Sequence, residues 1–214
     1  MKSTLVSLSV CALIYSPCCV TAATYIQSVN VAVPDNNANG LVSQITASTG
    51  GQTVTAVEVT LTTQNGWNGD LYAYLEHDGV ISVLLNRPGK TATNPAGVGS
   101  SGMTISLVDS APLGDIHSAI PATVGVPAIG TYQPDARAAD PGLVTDTSLR
   151  SLYLAGMTGH VADGTWTLFV ADLADGGVTT LDSWGLTLTT VPEPTAALLG
   201  GVGLLTLLRR RRNV

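Results

Sequence analysis

Five aspartates, Asp35, Asp70, Asp172, Asp175 and Asp182, each lie in or next to a stretch of Gly, Asn, Pro or Ser that reads as a turn. Turns present backbone carbonyls beside carboxylates, and hard oxygen ligands of that kind suit calcium. These residues are therefore the candidate calcium ligands of the chain. No EF-hand spacing links them. The plainer role for each is to cap its own turn by accepting a backbone N–H, and both readings stand at this level.

The remaining reactive side chains are sparse. His77, His117 and His160 are forty or more residues apart, too far along the chain for the close His or Cys spacing of a zinc site. Gly99-Ser100-Ser101-Gly102-Met103 faintly resembles a subtilisin-type nucleophile segment, but the residues after it read as a strand, and Met103 stands where G-x-S-x-G requires glycine. A Ser-His-Asp mechanism also needs a histidine oriented by a carboxylate, so no catalytic residue is expected. Trp67, Tyr72 and Tyr74 near one sheet end offer a glycan-stacking surface. The aromatic content of only 5% counts against it, and packing in a turn accounts for Trp67.

The elements that must position these residues are strands. In Thr53 to Thr62, Val57, Val59 and Leu61 share one face while Glu58, Thr60 and Thr62 share the other, the period-two pattern of a half-buried strand. Similar runs occupy 26–33, 41–47, 70–76, 80–85, 103–108, 165–171 and 181–189, and eight such strands imply two packed sheets. Trp166 with Leu168 and Val170, and Trp184 with Leu186 and Leu188, are expected in the core. The proline-rich stretch between Asp109 and Asp163 is too long to remain structureless in a compact domain. A short helical turn is expected within 146–157, capped by Thr147 or Ser148, with Leu149, Leu152 and Tyr153 facing the sandwich.

Both ends read as targeting segments. Lys2, the apolar run beginning at Leu5 and the small residues around Ala22 and Ala23 have the order of a secretory signal peptide cleaved after one of those alanines. Cys11, Cys18 and Cys19 all fall within it, so the mature domain is expected to have neither thiol nor disulfide. Between Thr24 and Val191 stand four basic residues, Arg87, Lys90, Arg137 and Arg150, against fourteen acidic ones, a formal balance of −10. That balance excludes nucleic acid as a natural partner.

At the C-terminal end, Pro192-Glu193-Pro194 is followed by an apolar run from Thr195 to Leu208 and then by Arg209, Arg210, Arg211 and Arg212. Fourteen helical residues reach about 21 Å against a hydrocarbon core of about 30 Å, short for a lasting anchor. The arginines would stay on the cytoplasmic side. This tripartite tail closely resembles the PEP-CTERM sorting signal. The resemblance implies an exosortase as processing enzyme, a Gram-negative producer of exopolysaccharide, and transient inner-membrane tethering before release to the cell surface or beyond.

Six segments of the middle region, in order, resemble the P/Homo B domain, a jelly-roll β-sandwich that follows subtilisin-like catalytic domains. They are Val33-Pro34-Asp35-Asn36-Asn37 with Gly40-Leu41-Val42-Ser43, Trp67-Asn68-Gly69-Asp70-Leu71, Leu84-Leu85-Asn86-Arg87-Pro88-Gly89, Gly130-Thr131-Tyr132-Gln133-Pro134, Gly164-Thr165-Trp166-Thr167-Leu168 and Leu181-Asp182-Ser183-Trp184-Gly185-Leu186. The resemblance implies a stabilising accessory module, sometimes loaded with calcium. Only a signal peptide precedes the domain here, so no protease is expected on this chain.

The expected organisation is a signal peptide over 1–23, an all-β jelly-roll-like sandwich of about eight strands over 24–190, and a sorting tail with a hydrophobic helix over 191–214. The expected function is that of an exported, non-catalytic β-sandwich, structural or adhesive within an exopolysaccharide matrix. The alternatives are an accessory module for a separately encoded subtilisin-like protease, and a carbohydrate-binding module.

Overall fold

Two antiparallel-dominated sheets face each other in a computed structural model that describes residues 20–192. The strands are β1 (Thr21–Ala32), β2 (Asn37–Ala47), β3 (Thr53–Asn65), β4 (Leu71–His77), β5 (Val80–Asn86), β6 (Met103–Leu107), β7 (Ala128–Tyr132), β8 (Gly164–Asp172) and β9 (Thr179–Val191). Five build one sheet in the order β1-β9-β3-β6-β7, and four build the other in the order β2-β8-β4-β5. Every pairing is antiparallel except that of β6 with β7.

The expected alternation holds where it was clearest. Val57, Val59 and Leu61 of β3 are buried, as are Leu71, Ala73 and Leu75 of β4. Trp166 from β8 and Trp184 from β9 meet the core from opposite sheets, 0% and 1% exposed. Each indole keeps a partner for its N–H, as a buried donor requires. Trp166 Nε1 donates to the Ala162 carbonyl at 3.0 Å, and Trp184 Nε1 reaches across to Ser43 Oγ on β2 at 2.9 Å.

Against the expected count of about eight strands, nine are present among the described residues. β7 went unrecognised because it is five residues long, contains Gly130 and sits among prolines, so no alternation shows. Its parallel pairing with β6 is set from outside the strand, by the connection that returns it to the same sheet edge.

The helical turn is also corrected. A 3-10 turn covers only Leu154–Met157, with Tyr153 rather than Thr147 or Ser148 at its N-cap. Ser148 Oγ instead accepts from the Thr145 N–H at 3.0 Å, closing a local turn, and Leu149 is 79% exposed, not turned to the sandwich. A separate short helix, α1 (Ile116–Ala119), was missed because four residues are too few to show a helical period. Asp115 caps it, accepting from the His117 N–H at 3.0 Å.

Ala22 and Ala23, the expected processing positions, lie within β1 and pair with Thr189 and Leu188 of β9. Residues 1–19, with all three cysteines, and residues 193–214, with Glu193, Pro194 and Arg209 to Arg212, lie outside the described residues. Among the described residues no helix is long and apolar enough to cross a membrane.

Candidate functional site

Three of the five candidate aspartates arrive at one end of the four-stranded sheet. Antiparallel pairing dictates this, because β2 and β4 begin where β8 finishes: Asn37 and Leu71 both pair with Asp172, the last residue of β8. Asp35 stands two residues before β2, and Asp70 immediately before β4. The Leu173 N–H donates to the Asp70 carbonyl at 2.9 Å, and the Val33 N–H to that of Thr179 at 2.8 Å, which pins the turns together.

The charges at this end are uncomfortable. Burial raises the Asp172 carboxyl to about 6, the Ala174 N–H opposes it, and the neighbouring Asp70 and Asp35 carboxylates raise it further. Burial likewise raises Asp70, against the pull of the Arg87 guanidinium, whose Nη2 lies 3.2 Å from Asp70 Oδ1. Thr179 Oγ1 donates to Asp172 Oδ2 at 3.3 Å. The other oxygen, Oδ1 of Asp172, is buried without a partner, and so is Oδ1 of Asp35. Unpartnered buried acceptors are costly and call for an explanation.

Among the described residues no group of three His, Cys, Asp or Glu side chains is arranged to hold a metal ion as it stands. Asp70 is turned toward Arg87, which leaves Asp35 and Asp172 as the pair whose free oxygens suit a hard cation. Asp175 is exposed and lines a cleft of about 410 Å³ with Trp67, Asp70, Arg87, Val98 and Val124. Asp182 lies apart on β9, where it accepts from Gln64 Nε2.

The histidines are tied into internal contacts. His117 Nδ1 lies 2.8 Å from Asp135 Oδ2, and its Nε2 lies 2.8 Å from the Lys90 carbonyl. Both partners only accept, so both ring nitrogens donate. Burial disfavours that charge, but the Asp135 carboxylate and the Lys90 carbonyl outweigh it and raise the imidazole above its ordinary value. Asp135 also accepts from Arg137 Nη1 at 3.1 Å, while Arg137 Nη2 donates to Asp115 at 2.8 Å. This lattice organises the proline-rich connection, and its acidic members, Asp115 and Asp135, were not singled out in the sequence.

His77 stacks flat on Trp166, with ring centres 3.9 Å apart, and its nitrogens face the Thr165 and Val161 carbonyls. His160 lies 3.1 Å from Asp78 near the surface. Ser100 is buried, and its Oγ accepts from Asn68 Nδ2 at 3.0 Å.

The expected aromatic surface is regrouped. Trp67 leaves it, donating its Nε1 to the Gly176 carbonyl at 3.2 Å beside the smaller cleft. Phe169 joins Tyr72 and Tyr74 instead: Tyr74 and Phe169 stack at 4.9 Å, and Tyr72 lies 6.0 Å from Tyr74 and 6.4 Å from Phe169. These rings line a cleft of about 510 Å³ with Ala38, Arg87, Asp140 and Pro141. Phe169 was hidden in the sequence because it alternates with the core residues Leu168 and Val170, and only cross-strand pairing reveals Tyr74 opposite it.

No family model matches the chain. No curated protein matches it either. The solved structures similar in part include two from Aeromonas sobria. One is the serine protease of Aeromonas sobria, at 19% identity and a TM-score of 0.47, and the other is the complex of an Aeromonas sobria serine protease with its chaperone, at 16% and 0.45. Each match covers 80% of this chain, and the chain spans 27% of the matched chain. Likeness at this level carries no argument about what the chain does.

Proposed function

We propose that this chain is an exported, non-catalytic β-sandwich that works by binding, as a structural or adhesive component of an exopolysaccharide matrix. Calcium stiffens the end of its four-stranded sheet. The observation that carries the binding role is the pair of buried, unpartnered oxygens on Asp35 and Asp172, at an end where three carboxylates crowd together. A divalent cation there would neutralise the repulsion and accept the idle lone pairs. Asp35, Asp172 and turn carbonyls would hold it. Export and the sorting tail are read from the sequence, and exosortase processing and release to the cell surface are what the resemblance of that tail implies.

A second reading has its own support. Three of the six segments that resemble the P/Homo B domain supply Asp35, Asp70 and Arg87 to one end of the sandwich. This favours an accessory module that docks on a separately encoded subtilisin-like protease. Pull-down with the full-length protein from its own culture medium separates the two: sugar analysis showing polysaccharide in the eluate supports the matrix role, and a protease there supports the accessory role. For calcium, the test is thermal melting in chelator and in excess calcium. A melting temperature indifferent to both sinks the cation site.

A further inference from the structure

The outer face of the four-stranded sheet should be polar, because alternation has already turned Leu71, Ala73, Leu75, Leu168 and Val170 inward. It carries three rings instead, all half-buried and braced against one another. The neighbouring strand opens beside them. β2 shifts register against β8 between Asn37 and Leu41, and Ala38 from that bulge lines the cleft. Gly40, at φ 54°, passes so close that an added Cβ would stand 2.7 Å from Phe169 Cζ and 2.5 Å from the Val170 carbonyl. A side chain at that position would fill the space over the ring.

We infer that this cleft is a subsite for a neutral pyranose chain, with Tyr72, Tyr74 and Phe169 stacking on the sugar and Asp140 and Arg87 taking its hydroxyls. The inference rests on the matrix role proposed above and names the ligand class of that role. A pyranose has an apolar C–H face and a polar rim. The cleft matches both, with an aromatic floor and a carboxylate and a guanidinium at its edge. Asp140 is exposed, and its Oδ1 is fixed by the Gly142 N–H at 2.7 Å. Lys90, donating to the Pro141 and Gly142 carbonyls at 2.8 and 2.6 Å, fixes the same wall from behind. Among the described residues no hydrogen bond ties the Tyr72 or Tyr74 hydroxyl, whereas Tyr25 and Tyr132 spend theirs on carbonyls. The domain's balance of −10 disfavours a polyanion, which leaves a neutral chain as the better fit of the two.

Affinity electrophoresis of the full-length chain tests this, in gels containing hydroxyethylcellulose, galactomannan, dextran or, as the anionic control, alginate. Retardation in at least one neutral polymer is expected, weakened about tenfold by Tyr74→Ala or Phe169→Ala. Tyr74→Phe should keep it, since the ring survives, and Trp67→Ala should leave it unchanged. Absence of retardation in every neutral polymer, retardation in alginate alone, or wild-type migration of a folded Tyr74→Ala overturns the proposal. Should Tyr74→Ala not fold, exposed Asp140→Ala carries the test, with a several-fold loss expected and no change overturning it. Matrix polysaccharide that co-elutes equally with wild type and with Tyr74→Ala sinks the cleft and leaves the matrix role standing. Wild type that captures no polysaccharide from the medium sinks the matrix role itself.

Discussion

Asp172 shows how a single residue can be placed against its own preference. Its carboxyl is raised from the ordinary 3.8 to about 6, so folding favours the protonated form. The stability it lends is therefore complete below pH 3.8 and is lost as pH rises through about 6. In chelator, Asp172→Asn should stabilise the protein at pH 7 by about 1–2 kcal/mol, because it deletes the buried charge. It should give no gain at pH 4 and should abolish the response to calcium; urea midpoints at the two pH values check this. His117 acts with the same sign. Its raised imidazole contributes fully below 6.5 and stops contributing as pH climbs through the folded value. Replacing it with Gln strands part of a buried ion lattice and should cost about 3–5 kcal/mol at acid pH, with the gap to wild type narrowing in alkaline buffer. Denaturant melts across pH read that gap directly.

Elements set which of these side chains meet. β8 is the hinge of the arrangement, since its final residue pairs with the first residues of both β2 and β4 and so gathers Asp35, Asp70 and Asp172. Its core anchor is Trp166, so Trp166→Ala should cost about 3–5 kcal/mol and release His77 from its stack, visible as a lower melting temperature and a lost near-ultraviolet signal. The bulge of β2 is equally specific. Gly40→Ala would force a left-handed backbone on alanine and drive its Cβ into Phe169 and the Val170 carbonyl, so a loss of at least about 1–2 kcal/mol is expected. A variant as stable as wild type would show that β2 can straighten there. β7 makes the opposite point. Its five residues have too little pattern to declare a strand, and the edge offered by β6 decides their conformation.

At the scale of the whole molecule, Asp70, Asp172 and His117 are all raised and all favour the acid side, so the chelated protein should resist denaturant best in mildly acid buffer and calcium should move that optimum toward neutral pH. Loss of the acid-side optimum in the Asp172→Asn, His117→Gln double variant would assign it to these two groups. The sequence by itself determined the all-β architecture, because period-two alternation in strands such as β3 fixes which side chains are buried whatever the pairing. It also marked Trp166 and Trp184 as core. Only the tertiary structure decided which aspartates share a site, setting Asp35 and Asp172 together and Asp182 apart. It alone exchanged Trp67 for Phe169 in the aromatic cleft and linked His117 through Asp135 to Arg137. The physical reason is common to all three: these are contacts between residues distant in sequence, created by strand register and turn closure, and local pattern holds no information about either.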